Sequence, residues 1–135
     1  MIVVDTGPIV ALINPRDEYH RWARSVVGQL SEPMLTCDAV LSEALFLLSH
    51  TPNGIARFTD VLASGAIQSD FATTANLREL TLMIRKYQTL PMSFADACLV
   101  RLSEIHDGAA VLTIDSHFRI YRRNADEPIS VVMPA

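Results

Sequence analysis

The chain opens on Met1-Ile2-Val3-Val4-Asp5-Thr6-Gly7, an apolar, β-branched run that stops on a carboxylate, and the pattern returns late at Ala109-Ala110-Val111-Leu112-Thr113-Ile114-Asp115. Runs that are apolar on both faces suit the buried centre of a parallel sheet with helices covering each side. In open sheets of that kind ligands gather beyond the carboxyl ends of the strands, near the point where strand order reverses. The two runs therefore predict an α/β fold in which Asp5 and Asp115 meet at one edge of the sheet. The rest of the chain is read for what joins them there.

After the first strand, Pro8 suits an early helical position, and Ile9-Val10-Ala11-Leu12-Ile13 makes a short helix ended by Asn14-Pro15. Asp17 is placed to cap the next helix, which carries Tyr19, Trp22, Ala23, Val26, Val27 and Leu30 on one face. Met34-Leu35-Thr36 is a short second strand. Asp38 then caps a helix from Ala39 to Ser49 that is apolar on nearly every side, and Glu43 sits in its middle. A helix of that kind is expected to be buried, where a carboxylate is expensive unless paired or metal-bound. The bland alternative is a snorkelling or arginine-paired side chain.

A fourth helix follows the Thr51-Pro52-Asn53-Gly54 loop, and Ala66 to Phe71 alternates like an edge strand. Thr73-Thr74 caps a long helix with Leu77, Leu80, Ile84 and Tyr87 inward and Arg78, Glu79, Arg85 and Lys86 outward. Leu90-Pro91-Met92 ends it. Ser93-Phe94-Ala95-Asp96 opens another helix in a near capping box, which gives Asp96 a purely structural role to weigh against a chemical one. The second aspartate-tipped strand, a turn at Ser116-His117-Phe118 and a last strand over 128–133 complete a single domain, 1–135, with no internal repeat and no linker.

At 135 residues one core is enough. Half the residues are hydrophobic and mean hydropathy is positive, which suggests apolar surface covered by a partner. No apolar run approaches the roughly 18 residues that cross a bilayer, and the start lacks a signal-peptide pattern. A cytoplasmic protein is expected. Cys37 and Cys98 fit no metal spacing and read as reduced core residues. The net charge of −4 argues against a general nucleic-acid coat protein, but a carboxylate cluster that binds divalent cations reconciles the sign locally.

Taken singly, Asp5, Asp96 and Asp115 are ordinary cap or turn residues. Together with Glu43 they form a set that repels itself unless hard cations such as Mg²⁺ or Mn²⁺ bridge it. Oxygen-only ligands favour those ions over zinc or copper. Of the scattered histidines only His117, beside Asp115, is placed to reach the set. A carboxylate-held metal pair activates water, orients in-line attack on a phosphodiester and stabilises the leaving oxygen. The sequence offers no nucleophile elbow, Walker loop or dinucleotide glycine fingerprint in its place.

At these residues the chain resembles the PIN-domain family, and within it the VapC-type toxins of toxin–antitoxin pairs. The resemblance rests on Val3-Val4-Asp5-Thr6, on Glu43 in the third helix, on Ser93-Phe94-Ala95-Asp96-Ala97, and on Thr113-Ile114-Asp115-Ser116-His117-Phe118. It implies an α/β/α sandwich with a parallel sheet of about five strands and helices on both faces. It further implies a Mg²⁺- or Mn²⁺-dependent endoribonuclease leaving a 5′-phosphate and a 3′-hydroxyl, a homodimer, and inhibition by a small VapB-like antitoxin whose C-terminal segment plugs the site.

Carried over by position, Asp5, Glu43, Asp96 and Asp115 are the catalytic and metal-binding acids, with Thr6 and Thr113 supporting them by hydrogen bonds. Gly7 departs from the serine or asparagine of many relatives. Arg119, Arg122 and Arg123 follow the site and are expected to contact RNA phosphates, with Arg78, Arg85 and Lys86 a second set. Two other readings stay open: a housekeeping RNA-processing nuclease and a non-catalytic interaction module on the same fold. A phosphoryl-accepting module is disfavoured, since Asp5 has no acidic neighbour and Lys86 is the only lysine.

Overall fold

The structure is a computed structural model that describes residues 1–90 and 92–135; the helix-ending Pro91 lies outside the described residues. β1 (Ile2–Val4) leads into α1 (Thr6–Ile13) and α2 (His20–Gly28), and β2 (Met34–Thr36) into α3 (Asp38–Leu48) and α4 (Gly54–Ser64). β3 (Ile67–Ser69) leads into α5 (Leu77–Lys86) and α6 (Phe94–Ile105), then β4 (Ala110–Leu112). A two-stranded antiparallel hairpin, β5 (Arg122–Arg123) and β6 (Glu127–Pro128), precedes β7 (Val131–Val132).

The five-stranded sheet has the order β3-β2-β1-β4-β7, and every pairing is parallel. Parallel neighbours need crossover connections, which the helices supply. The chain winds outward from β1 through β2 to β3, then returns to place β4 on the other side of β1, with Ile2 opposite Ala110 and Val4 opposite Leu112. The reversal therefore falls between the two aspartate-tipped strands. Their backbones are joined there by Asp5 N–H donating to the Leu112 carbonyl at 3.0 Å.

The apolar runs become the core. Val3, Val4, Val111 and Leu112 are fully buried between α1 and α6 residues such as Ile9, Leu99, Val100 and Leu102. Each such side chain contributes roughly 1.5–3 kcal/mol relative to exposure. Cys37 and Cys98 are both buried and free, as expected.

Four expectations change. α3 is one-sided: Val40, Ala44 and Leu48, spaced by four, face inward, while Leu45, Phe46 and Leu47 are exposed, Phe46 at 65%. Composition alone made the helix look buried, but only one stripe meets α1 and α4. Glu43 is thus an exposed residue at the cavity rim. The second helix starts at His20, two residues late, because Asp17 turns the chain by accepting from Tyr19 N–H at 2.9 Å. A 3₁₀ turn (Thr74–Asn76) precedes α5, and the last expected strand is split into β6 and β7.

Candidate active site

Asp5 directly follows β1 and is the N-cap of α1. Its Oδ1 accepts from Thr6 N–H at 2.8 Å and its Oδ2 from the Thr113 hydroxyl at 2.8 Å. Thr113 Oγ1 in turn accepts from Asp115 N–H at 2.9 Å, so one buried threonine ties the two strand ends together. Asp115 caps the 3₁₀ turn Ser116–Arg119; its Oδ1 accepts from His117 N–H at 2.9 Å, with His117 Nδ1 at 3.2 Å.

The other two acids arrive on helices. Glu43 projects from the middle of α3, and its Oε2 accepts from the Thr6 hydroxyl at 3.1 Å. Ser93 Oγ caps Asp96 N–H at 3.0 Å, which is the structural half of the expected capping box. The Asp96 carboxylate is then free for another role, and its Oδ2 accepts from the Tyr121 hydroxyl at 2.9 Å.

All four acids line one cavity of about 520 Å³ whose other walls include Gly7, Val10, Asp17, Leu47 and His117, and among the described residues no lysine or arginine lines it. The carboxylates accept from threonine and tyrosine hydroxyls and backbone N–H groups, and the His117 imidazole stands beside Asp115. Their charge is left uncompensated. The Asp5 carboxyl is pushed up to about 6, chiefly by burial and further by Asp96 and Asp115, against the lowering effect of its bonds to Thr113 and Thr6.

A site in which carboxylate oxygens predominate suits a hard divalent ion. Among the described residues, no three His, Cys, Asp or Glu side chains already converge on one point.

Three residues were missed from sequence. Tyr121 is fully buried, edge-on to Tyr87 at 5.1 Å and to Phe118 at 5.3 Å. Burial, then its bond to Asp96, pushes its phenol well above the usual range and keeps it a donor. Nothing in Ile120-Tyr121-Arg122 announces a contact 25 residues upstream. Asp17 adds a fifth carboxylate to the cavity wall, and Ser93 lies beside Asp96; in sequence each carries only the signature of a cap.

Replacing Tyr121 by Phe is expected to lower stability by about 1.5–3 kcal/mol, the usual worth of a hydrogen bond to a charged group, and to lower turnover by freeing Asp96. Urea unfolding alongside a cleavage assay checks both, and full activity would contradict the role.

The three arginines expected at RNA differ in what holds them. Arg122 Nη1 donates to the carbonyls of Arg119, Ile120 and Tyr121, at 2.9 to 3.2 Å. Arg123 is largely buried, its Nη2 2.8 Å from Asp107 Oδ1. Both side chains serve the β5–β6 region, and RNA contact would require giving those bonds up. Arg119 is exposed without a side-chain partner among the described residues. Of the second set, Lys86 Nζ donates to the Ala125 carbonyl.

A parallel sheet with an acid cavity at its switch point, built by two strand ends and two helices, defines the class: a doubly wound α/β domain with a carboxylate site. The model of the PIN domain family matches residues 2–124, and the chain belongs to that family. Among solved structures it is similar to VapC20 of Mycobacterium tuberculosis, described as a sarcin–ricin-loop-cleaving toxin. The identity is 19%, the TM-score 0.73, and the match covers 86% of this chain and 91% of that one. That likeness establishes the shared fold. No curated protein sequence matches.

Proposed function

We propose that the protein is a Mg²⁺- or Mn²⁺-dependent endoribonuclease, the toxin of a VapBC-like toxin–antitoxin pair acting in the cytoplasm. The observation that carries this reading is the single cavity lined by Asp5, Glu43, Asp96 and Asp115 with no lysine or arginine in it among the described residues. Membership of the PIN family and the toxin description of VapC20 support it. Bound among these acids, a divalent cation supplies Lewis acidity for activating water and for neutralising the leaving oxygen.

The chain's own residues hold that arrangement. Thr113 and Thr6 orient Asp5, Thr6 steadies Glu43, and Tyr121 fixes one oxygen of Asp96 while leaving the other free. The exposed Leu45, Phe46 and Leu47 of α3, with Ile55 of α4 also exposed, support a covering partner. On this reading that partner is the antitoxin or the second copy of a homodimer.

Structured cellular RNA incubated with Mn²⁺ or Mg²⁺ should yield discrete cuts with 5′-phosphate ends. These should be absent in chelator and reduced at least a thousandfold in Asp96→Asn. Cuts that persist undiminished in the variant would remove the carboxylate mechanism. Intact RNA with every metal would favour the interaction-module reading, and an adjacent reading frame for a DNA-binding antitoxin would separate toxin from housekeeping nuclease.

A further inference from the structure

Next to the acid cavity lies a second one of opposite sign. It has a volume of about 230 Å³ and is lined by Asn14, Pro15, Arg16, Pro52, Asn53 and Arg57, with no carboxylate among them. We propose that this niche binds a backbone phosphate of the RNA strand whose scissile phosphodiester sits at the acids. The inference rests on the nuclease reading and adds to it a subsite and a direction for the substrate.

The two arginines are available. Both are exposed, and neither guanidinium is paired with a carboxylate among the described residues, unlike Arg101 and Arg123. Arg57 stands in the opening turn of α4, where the helix dipole disfavours a cation. No acidic residue offsets it in that first turn, and Asn53 makes no side-chain cap. The helix dipole and two guanidinium forks therefore both favour an anion, and planar forks match phosphate geometry.

The placement relative to the acids is set by α1. Asp5 and Thr6 stand at its start, and Asn14, Pro15 and Arg16 follow its end, an eight-residue helix and so about 12 Å away. Val10 of α1 and Leu47 of α3 wall the acid cavity along the way, and Asp17, the next residue after Arg16, still lines it. The two cavities thus lie on either side of one loop. Phosphates recur every few ångströms along a strand, so an RNA held at the acids and running along α1 brings one to the niche. The apolar walls between suit unstacked bases, which favours single-stranded RNA.

The test is fluorescence anisotropy of a labelled single-stranded RNA on an Asp115→Asn background, which prevents cutting, from about 0.05 to 0.4 M salt. Single-strand binding loses a slope of about 0.7 for each phosphate contact removed. Arg16→Ala/Arg57→Ala should therefore flatten the salt slope by about 0.7, a loss of about fivefold at 0.1 M salt relative to 1 M. Arg16→Lys/Arg57→Lys should keep the slope. Arg21→Ala/Arg24→Ala on the exposed face of α2 makes the same charge change elsewhere and should leave the slope unaltered.

An unchanged slope in the first pair, or an equal loss in the α2 pair, overturns the niche. So does capture of an acidic peptide there without any change in RNA binding. Cutting by the parent protein with an unaltered slope removes the niche and leaves the nuclease. Binding with the expected slope loss but no cutting in any metal removes the nuclease and leaves the niche as an RNA site.

Discussion

Asp5→Asn is expected to be more stable than the parent at neutral pH in metal-free buffer while cutting no RNA. The parent carries a buried carboxyl whose pKa rises from 3.8 to about 6, equivalent to roughly 3 kcal/mol of preference for the neutral form. The unfolded chain releases this proton near 3.8 and the folded chain near 6, so between them the folded state binds more protons. Stability therefore falls as pH rises from about 4 to about 6 and stays lowered above that. Asparagine removes the charge but keeps an oxygen for Thr6 N–H, and the Thr113 hydroxyl accepts from the new amide.

The gain above pH 6 should be about 2 kcal/mol, shrinking toward pH 4, and urea unfolding at several pH values reads it directly. Saturating Mn²⁺ should stabilise the parent far more than the variant. An Asp5→Asn protein that is less stable than the parent at pH 7.5 would mean that the charge at this position is already compensated.

The second large effect is structural. Gly54 opens α4 directly against the end of α3, and a Cβ there would lie 1.9 Å from the Leu48 carbonyl oxygen and 2.8 Å from its carbon. The same oxygen accepts from Thr51 N–H and from the Thr51 hydroxyl, which itself stands 2.3 Å from the added carbon. Backbone on this scale cannot step aside without moving α3. Gly54→Ala should cost about 3 kcal/mol or more and lower activity through Glu43. Gly28, at the end of α2, has nothing within 4 Å of an added Cβ. There alanine should be neutral or slightly stabilising, so equal behaviour of the two variants would contradict the packing account.

Much of the architecture was legible because it depends on local pattern. Two β-branched runs ending in aspartate marked the central strands, and the parallel sheet reverses between them. Asp5, Glu43, Asp96 and Asp115 line one cavity with Thr6 beside them, and Thr113 links the two strand ends. What failed depended on neighbours. α3 is apolar by composition on every side, but whether a face is covered depends on what packs there, and Phe46 is left exposed.

Arg122 and Arg123 follow the site in sequence, yet the hairpin turns their side chains back onto carbonyls and Asp107. Tyr121 reaches Asp96 only once α6 and the 3₁₀ turn after β4 are side by side. Arg16 and Arg57 share a cavity for the same reason, with no periodicity to link a loop to a helix start. Gly7 has a steric reason that only packing reveals, since Ile114 fills the space a side chain there would occupy, with Cγ1 2.6 Å from an added Cβ.

The most direct measurement is the free Mn²⁺ signal in electron paramagnetic resonance as protein is titrated in at pH 7.5, for the parent and for Asp5→Asn, Asp96→Asn and Asp115→Asn. The account predicts that the folded parent removes Mn²⁺ from solution and that each folded variant binds at least tenfold more weakly. A parent that leaves the signal unchanged, or variants that bind as well as the parent, would contradict the claim that these carboxylates form a divalent-metal site.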